Sequence, residues 1–354
     1  METDRNSVDR STVANLRPYL LRSLLATVTD LGISPERLCI GLGFGPDDLA
    51  NPSCRLSFRQ AAMVIRRALQ MTPGRPLGLM VGESESIASI GLTGFAMLTC
   101  RTLRDAAVFG IQMQDSAGTI LRLKWSRSPN TSIITATSRF AAPAIQPFLV
   151  EEAFASWLGL TRSLIGHGFR PLRIELAYPE PTYAAEYHRC FGCPVRFSQT
   201  ANSFIVDNQW AEKKVATFDP HTHREVLELL RLGLSRERET DELFESVERL
   251  VHADIASIPT LDEIAPKLNM SGRTLRRKLM DRGLSFQMLV DNVRKNQAID
   301  LLSNGVLSID EVAEQVGFSN AHNFRRAFRR WTGTSPTDLR KTLALPQPAP
   351  QGLA

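Results

Sequence analysis

Apolar and polar residues recur with helical spacing along much of this chain, and the clearest pattern lies near the C-terminus, in residues 257–341. A short pattern occurs there twice. The two copies begin with Thr260-Leu-Asp-Glu-Ile-Ala and Ser308-Ile-Asp-Glu-Val-Ala, and they continue to Leu275-Arg-Arg-Lys-Leu and Phe324-Arg-Arg-Ala-Phe. Because each copy is too short to bury its own apolar face, the repeat predicts two similar units packed into one domain.

Each copy begins with the pattern of a short helix. Thr260 with Glu263, and Ser308 with Glu311, fit the capping box, in which a hydroxyl and a carboxylate satisfy free N–H groups of the first turn. Apolar residues at three- and four-residue intervals then give each helix one face that can pack. These residues are Leu261, Ile264, Ala265 and Leu268 in the first copy, and Ile309, Val312, Ala313 and Val316 in the second.

A turn and a second helix follow in each copy. Asn269 and Gly317 interrupt the apolar pattern where a tight turn would lie, and Ser271 and Ser319 can cap the next helix. Each copy is therefore predicted to be a helix-turn-helix unit.

The second helices, predicted over residues 272–282 and 320–331, each combine an apolar face with a basic face. The apolar residues are Leu275 and Leu279 in the first helix, and Phe324, Phe328 and Trp331 in the second. The basic residues are Arg273, Arg276 and Arg277 in the first helix, and His322, Arg325, Arg326 and Arg329 in the second. Asp281 is the one acidic residue within these two segments. Arginine without compensating carboxylates suits a polyanion, because its fork matches phosphate oxygens and the O6/N7 edge of guanine.

A long amphipathic helix is predicted between the two units, from about Ser285 to Ser303, with Asn304-Gly305 as its end. At 1.5 Å per residue it spans roughly 28 Å, close to the ~34 Å between successive major-groove faces of B-DNA. Within the first unit, Pro266 is expected to remove a helical hydrogen bond and to kink or shorten its helix.

The segment from about Asp241 to Lys341 resembles the DNA-binding domain of AraC/XylS-type transcription regulators, which has two helix-turn-helix units joined by a linker helix. The matching residues are Leu275-Arg-Arg-Lys-Leu279, Gly283, Phe286, Arg294, Ala298, Leu301-Leu302, Ile309-Asp-Glu-Val-Ala313, Gly317-Phe318, Phe324-Arg-Arg-Ala-Phe-Arg-Arg-Trp331 and Gly333-Thr-Ser-Pro336. Leu289 and Leu339 stand where the family commonly has an aromatic residue, and they keep the apolar character.

This resemblance implies which side chains meet DNA. The residues implied to face the major groove are Arg273, Arg276, Arg277, Ala321, His322, Arg325 and Arg326. Arg329, Arg330 and Arg294 are assigned to phosphates rather than to bases. The competing interpretation is a solvated basic helix face, which is the usual meaning of a charge run. Two repeat-related helices with the same division of faces favour DNA.

The basic charge is local. The chain has a net charge of +5, and residues 257–341 contain 14 Lys and Arg against nine Asp and Glu, a surplus equal to the whole excess. The polar, mixed-charge N-terminus does not resemble a signal peptide, and no segment has the ~18 consecutive apolar residues typical of a membrane span. We expect a cytoplasmic protein. The five cysteines are scattered and do not predict a disulfide framework.

The first part of the chain mixes helical and strand patterns, which predicts an α+β domain ahead of the all-α C-terminal domain. Helices are predicted over residues 16–31, 58–69, 102–114 and 147–165, and a helix start at Ser34-Pro-Glu-Arg. A β-hairpin is predicted over residues 119–125 and 132–140, and strands over residues 173–178 and 204–206. The predicted domains are 1–235 for effector sensing or dimerisation and 236–343 for DNA binding, with helix 241–257 opening the second, and 344–354 a disordered tail.

The N-terminal part resembles the effector domain of one AraC-type subgroup. The resemblance lies in Gly91-Leu-Thr-Gly94, Thr102-Leu-Arg-Asp-Ala106 and Phe191-Gly-Cys-Pro-Val-Arg-Phe197. It implies a regulator whose N-terminal domain responds to a small-molecule effector or forms a homodimer, and whose DNA-binding domain meets promoter DNA and RNA polymerase. Activation is the expected output, with repression also open, as is a purely assembling N-terminal domain.

Candidate catalytic and metal sites are weak. Asp219-Pro-His-Thr-His223 can supply metal ligands, but without a second cluster at fixed spacing a capped helix start is favoured. Cys190-Phe-Gly-Cys193 precedes a strand-like segment rather than opening a helix, which disfavours a redox pair. Gly41-Leu-Gly-Phe-Gly45 lacks the strand of a dinucleotide loop, and the serines near Ser86 lack a nucleophile-elbow setting.

We therefore predict no enzyme, no cofactor and no metal site. The alternatives are an enzyme fused to a nucleic-acid-binding module and a non-specific architectural DNA protein. An enzyme would need an acid/base or metal site, and an architectural protein would bind all sequences with nearly equal affinity.

Overall fold

The computed structural model describes residues 10–51, 54–115, 117–234, 240–255, 257–304 and 306–344. These residues form two compact units. The first comprises the described residues up to Cys39 together with Gly45–Glu242, and the second comprises Ile40–Phe44 together with the described residues from Leu243 onward. The predicted boundary between 235 and 236 falls at residues outside the described ranges, as do residues 345–354 of the predicted tail 344–354, so both stay predictions, while Ala344 is the last residue of a helix.

The first unit contains ten α-helices and eight strands among its described residues. Its helices are α1 Tyr19–Asp30, α2 Glu36–Cys39, α3 Phe58–Met71, α4 Leu77–Ser84, α5 Leu92–Leu98, α6 Leu103–Gln112, α7 Gln146–Ile165, α8 Ala184–Phe191, α9 Asn208–Ala211 and α10 Pro220–Leu234. Its strands are β1 Val13–Leu16, β2 Leu56–Ser57, β3 Leu121–Arg127, β4 Thr131–Ser138, β5 Arg173–Glu175, β6 Val195–Arg196, β7 Asn202–Asp207 and β8 Thr240–Asp241.

The strands form two sheets. One has the order β2-β1-β8 and the other the order β3-β4-β7-β5-β6, with β5 and β6 as a parallel pair and the remaining neighbours antiparallel. The predicted hairpin is confirmed: β3 pairs with β4 from Leu121 opposite Ser138 to Arg127 opposite Ser132. Alternate residues of β4 are buried, as expected of a strand with one packed face.

Helix α7 is the central helix of the first unit. It is apolar around much of its circumference, and Phe148, Phe154 and Trp157 are among its thirteen buried residues. A helix that is apolar on most sides is one enclosed by other elements. The ring of Phe154 meets the ring of Phe204 on β7, with centroids 5.7 Å apart.

The second unit is all α-helical in its described residues. Its helices are α11 Glu242–His252, α12 Leu261–Lys267, α13 Gly272–Met280, α14 Phe286–Asn304, α15 Ile309–Gln315, α16 Ala321–Thr332 and α17 Pro336–Ala344. It has two apolar clusters. The first cluster joins α11, α12, α13 and the beginning of α14, and the second joins the end of α14 with α15 and α16. The predicted fold class, α+β followed by an all-α domain, is confirmed.

Three predicted boundaries are wrong in detail. The helix predicted from residue 16 begins at Tyr19, because Val13–Leu16 is a strand and Pro18 follows it. The strand predicted over residues 173–178 ends at Glu175. The helix predicted over residues 241–257 spans Glu242–His252, and it packs in the first cluster of the second unit as expected.

Candidate nucleic-acid interface

The predicted repeat is present as two helix-turn-helix units, α12 with α13 and α15 with α16. Helices α12 and α15 have seven residues each, so Pro266, which lies inside α12, does not make its helix shorter than the matching one. The turns also correspond. Asn269 has φ 53° and Gly317 has φ 78°, the left-handed conformation that a tight turn between two helices requires and that glycine and asparagine tolerate best.

Capping side chains fix where these helices begin. The N–H of Ser308 donates to Glu311 at 2.7 Å, and the N–H of Glu311 donates to the Ser308 hydroxyl at 3.2 Å, which is the predicted capping box. In the first helix-turn-helix unit, the N–H and hydroxyl of Thr260 both donate to Glu263, at 2.7 and 2.8 Å. These hydrogen bonds lower the pKa of both carboxyl groups.

The second helices begin at Ser271 and Asn320. Ser271 accepts from the N–H of Thr274, as predicted, at 3.2 Å. In the second helix-turn-helix unit, the capping residue is Asn320 rather than Ser319, because the side-chain oxygen of Asn320 accepts from the N–H of Asn323 at 2.9 Å. The cap shifts by one residue, and α16 therefore starts at Ala321.

Helix α13 has the predicted division of faces. Leu275 and Leu279 are fully buried in the first cluster. Arg273, Arg276 and Arg277 are exposed. The helix thus presents three guanidinium groups to solvent while its two leucines hold it against α12.

Helix α16 repeats this arrangement. Phe324 and Phe328 are fully buried. The exposed basic side chains are His322, Arg325, Arg326, Arg329 and Arg330. Ala321 differs from these, because it is half-buried and packs against the second cluster. Its small side chain brings the backbone of the first turn close to whatever the helix meets.

Two of these arginines have intramolecular partners. Arg325 lies 3.4 Å from Asp310, and Arg330 lies 3.0 Å from Asp291. Both pairs are at the surface, where an ion pair contributes about 0–1 kcal/mol and exchanges readily with another anion. Within the described part of the chain, no carboxylate pairs with the remaining exposed arginines of the two helices, namely Arg273, Arg276, Arg277, Arg326 and Arg329.

Arg294 on α14 is placed differently from the other predicted contacts. Its side chain is half-buried, its guanidinium lies 4.7 Å from the centre of the Phe318 ring, and Nη2 donates to the carbonyl of Gly317 at 2.9 Å. Burial lowers its pKa. Arg294 therefore holds the turn between α15 and α16 in this structure.

Helix α14 joins the two helix-turn-helix units, as predicted. It has 19 residues, which corresponds to roughly 28 Å at 1.5 Å per residue. Leu289, Val290 and Val293 pack in the first cluster, while Ala298 and Leu302 pack in the second. Each end of the helix is thus fixed to one helix-turn-helix unit, and α14 determines the spacing between α13 and α16.

One residue of this surface was missed in the sequence. Asn323 is exposed on α16 and lines a shallow groove with Arg326 and Arg330. These three residues are spaced i, i+3 and i+7, so the helical period that identified the arginines also identifies Asn323. Asparagine can form a bidentate pair with adenine.

The other candidate motifs have structural roles. Asp219 accepts from the N–H groups of His221 and Thr222 at the start of α10, which confirms the capped helix start. The described residues contain no group of three or more potential metal ligands.

The cysteine pair also has surroundings that oppose redox chemistry. Cys190 is on α8, and burial raises its pKa to about 12, while burial raises the pKa of Cys193 to about 11. A thiol with a raised pKa is a poor nucleophile at neutral pH. All five cysteines are free. The glycine-rich segment at 41–45 follows helix α2 rather than a strand.

None of the described helices is both long enough and apolar enough to cross a lipid bilayer.

Two family models match the chain. Residues 32–215 match the N-terminal arabinose-binding domain of AraC transcription regulators, and residues 264–342 match a helix-turn-helix domain. The ornithine utilization regulator of Pseudomonas aeruginosa is 29% identical over 319 residues, which cover 90% of this chain and 94% of that protein.

Two solved structures are also similar. The transcriptional regulator CdpR from Pseudomonas aeruginosa is 22% identical, with 91% of this chain and 98% of that chain covered and a TM-score of 0.46. The DNA-binding domain of AdpA, solved in complex with a target DNA, is 29% identical, with 28% of this chain and 90% of that chain covered and a TM-score of 0.25. The first family model spans more than half of the chain, and the chain belongs to the AraC family of transcription regulators, with an N-terminal domain of the arabinose-binding type and a C-terminal helix-turn-helix DNA-binding domain.

Proposed function

We propose that α13 and α16 read two successive major-groove faces of one operator, so that a single chain recognises a specific promoter sequence. The observation that carries this proposal is the pair of exposed arginine faces, one at each end of α14 and both backed by buried apolar residues. A solvated helix face needs neither the duplication nor the fixed spacing, whereas recognition of two successive major-groove faces by one chain needs both.

The side chains divide by their place on the helices. We assign base contacts to Arg273, Arg276, Arg277, His322, Arg325 and Arg326, with Ala321 allowing close approach of the first turn. We assign Arg329 and Arg330 to phosphates. Arg294, which was predicted with these two, is assigned to holding the turn at Gly317.

Alanine substitution tests the assignment of base contacts. Arg276→Ala and Arg326→Ala are each expected to reduce discrimination between operator and random DNA by about 1–3 kcal/mol, because a bidentate contact with guanine is lost. The measurement is competition binding with the protein's own promoter region and random DNA at one fixed salt concentration.

The matched control is Arg231→Ala, which removes one exposed arginine from α10 in the first unit. It is expected to leave discrimination unchanged. An equal loss of affinity for both DNAs in Arg276→Ala or Arg326→Ala would reassign that arginine to the phosphate backbone.

The N-terminal domain is the proposed effector domain. A small molecule that binds two of its states with different affinity shifts their populations, and it thereby changes how the DNA-binding domain is presented to promoter and RNA polymerase. We also propose that this domain mediates a homodimer, that the output is activation, and that the protein acts in the cytoplasm. Equal affinity for operator DNA with and without every effector tested would favour a purely assembling role.

A further inference from the structure

A pocket lined mainly by apolar side chains lies within the first unit. Leu20, Ile90, Met97, Trp157 and Leu160 form much of its apolar wall. The pocket is bordered by α1, α5 and α7, and of these α5 and α7 lie within the residues that match the arabinose-binding type of domain.

Two carboxyl groups, those of Glu85 and Glu152, line this otherwise apolar pocket. Glu85 caps the C-terminal end of α4, and Glu152 lies on α7. The helices approach closely because of glycine: a Cβ on Gly78 would lie 2.6 Å from the carbonyl oxygen of Phe148, and one on Gly82 would lie 2.4 Å from that of Glu152. This contact brings the end of α4 to the middle of α7.

No compensating cation lines the pocket among the residues that the structure describes. Among its described lining residues there is no arginine, lysine or histidine. Glu152 as a whole residue is partly exposed, but its carboxyl group is enclosed by protein and its neighbour is the carboxyl group of Glu85. At Glu85, the hydroxyl groups of Ser156 and Ser23 and the carboxyl group of Glu152 favour the ionised form and oppose the effect of burial on its pKa. Burial raises the pKa of both glutamates, and for Glu152 the nearby charge of Glu85 raises it further.

The adjacent Glu151 shows how this fold satisfies a structural carboxylate. Its side chain is buried, accepts from Tyr183 at 2.9 Å and also accepts from the hydroxyl of Tyr187. Two phenol donors thus satisfy Glu151 without a ligand. Glu85 and Glu152 instead line the pocket next to each other, where the two carboxyl groups share a hydrogen bond in the absence of a ligand and a bound cation would allow both to ionise.

We propose that this pocket binds a small organic cation, an ammonium or guanidinium group on a short apolar stem, with Glu85 and Glu152 holding the charged group. Several N–H donors on one cation can satisfy both carboxylates, and the apolar wall accepts the stem. The proposal specifies the chemical class of the effector and so rests on the effector role of the N-terminal domain.

Calorimetry on the full-length protein at pH 7.5 tests the class of ligand. The probes are n-pentylamine and n-butylguanidinium, with n-pentanol and pentanoate as neutral and anionic molecules of similar length. The two cations are expected to bind at least tenfold more tightly than the alcohol or the acid. Equal binding of all four, or tighter binding of pentanoate, overturns the proposal.

Variants test the location. Glu152→Gln and Glu85→Gln are each expected to weaken binding of the cations at least tenfold, while Glu225→Gln, an exposed glutamate on α10, leaves it unchanged. Thermal unfolding of each variant without ligand confirms that it is folded, because glutamine keeps the shape of the protonated acid. Unchanged binding by folded Glu85→Gln and Glu152→Gln places the cation elsewhere and overturns the proposal.

A parallel measurement of operator affinity separates this inference from the proposed function. Cation binding that is lost in Glu152→Gln but leaves operator affinity unchanged supports the pocket's chemistry and contradicts the effector role. A neutral or anionic molecule that changes operator affinity, while the cations do not bind, supports the effector role and overturns the inference.

Discussion

The arginines of α14 and α16 differ in their surroundings, and the surroundings determine which contacts each guanidinium group can make. Arg326 and Arg329 are exposed, and neither has a carboxylate partner among the described residues. Arg294 is half-buried and already engaged with Phe318 and Gly317. An exposed guanidinium is available to phosphate or base, whereas a buried one is retained by its intramolecular contacts.

Arg294→Ala is therefore expected to lower affinity for operator and random DNA alike without changing the salt dependence of binding. The physical reason is that it loosens the turn before α16 rather than removing a phosphate contact. The measurement is the slope of log affinity against log salt concentration. Arg329→Ala is the comparison, and its slope is expected to become shallower by about 1. A slope that becomes shallower by about 1 in Arg294→Ala would restore the phosphate contact predicted from the sequence.

Glu151 predicts a pH dependence of stability. Burial raises its pKa from 4.5 to about 7, so the folded state holds a proton that the unfolded state releases between those values. Its contribution is therefore most favourable below about pH 4.5 and is lost as the pH rises through about 7. Between pH 5 and pH 8, the titration of Glu151 is expected to lower the free energy of unfolding of the wild type by on the order of 2–3 kcal/mol. Glu151→Gln is expected to lack this part of the decrease.

Urea unfolding of the first unit at the two pH values measures this effect. Glu225→Gln is the control for removal of an exposed charge. Because the pKa values of Glu85 and Glu152 are also raised, part of the pH dependence is expected to remain in Glu151→Gln. Identical pH dependence in the variant and the wild type would show that Glu151 does not titrate in this range.

Among the elements, those with local signals were predictable from sequence. The capping box at Ser308 and the period of apolar residues specify α15 without reference to distant residues. The helical period of α16 likewise separates Phe324 and Phe328 from the arginines. The start of α1 was predicted too early, because the strand before it is defined by pairing with β2 and β8, and such pairing leaves no helical or capping signal.

Helix α14 determines the register of the two units, and an insertion tests this role. One alanine is inserted after Asn296, between the parts of α14 that pack in the two clusters. It rotates the second helix-turn-helix unit by about 100° relative to the first and moves it about 1.5 Å along the axis of α14. We expect each helix-turn-helix unit to stay folded and the affinity for operator DNA to fall to that of a single helix-turn-helix unit. Asn296→Ala, without the insertion, is the control, because Asn296 is exposed.

The measurement is a titration of operator DNA, accompanied by circular dichroism to verify helix content. Wild-type affinity in the insertion variant would show that α13 and α16 do not have to face one side of the duplex.

At the scale of the whole molecule, charge and chemistry are divided along the chain. The surplus of five basic residues lies in residues 257–341, while the pocket with two carboxyl groups lies in the first unit. The basic surface was predictable because its residues are close in sequence and repeat. The pocket was not, because Glu85 and Glu152 meet only through the contact of α4 with α7, which depends on Gly78 and Gly82.

The central claim is that α13 and α16 choose a sequence by reading two major-groove faces, and selection of DNA from a random pool by the full-length protein at fixed salt tests it most directly. The account predicts an enriched sequence with two blocks about one helical turn apart, at 10–10.5 base pairs between their centres. A pool without enrichment, or with a single block, would contradict it.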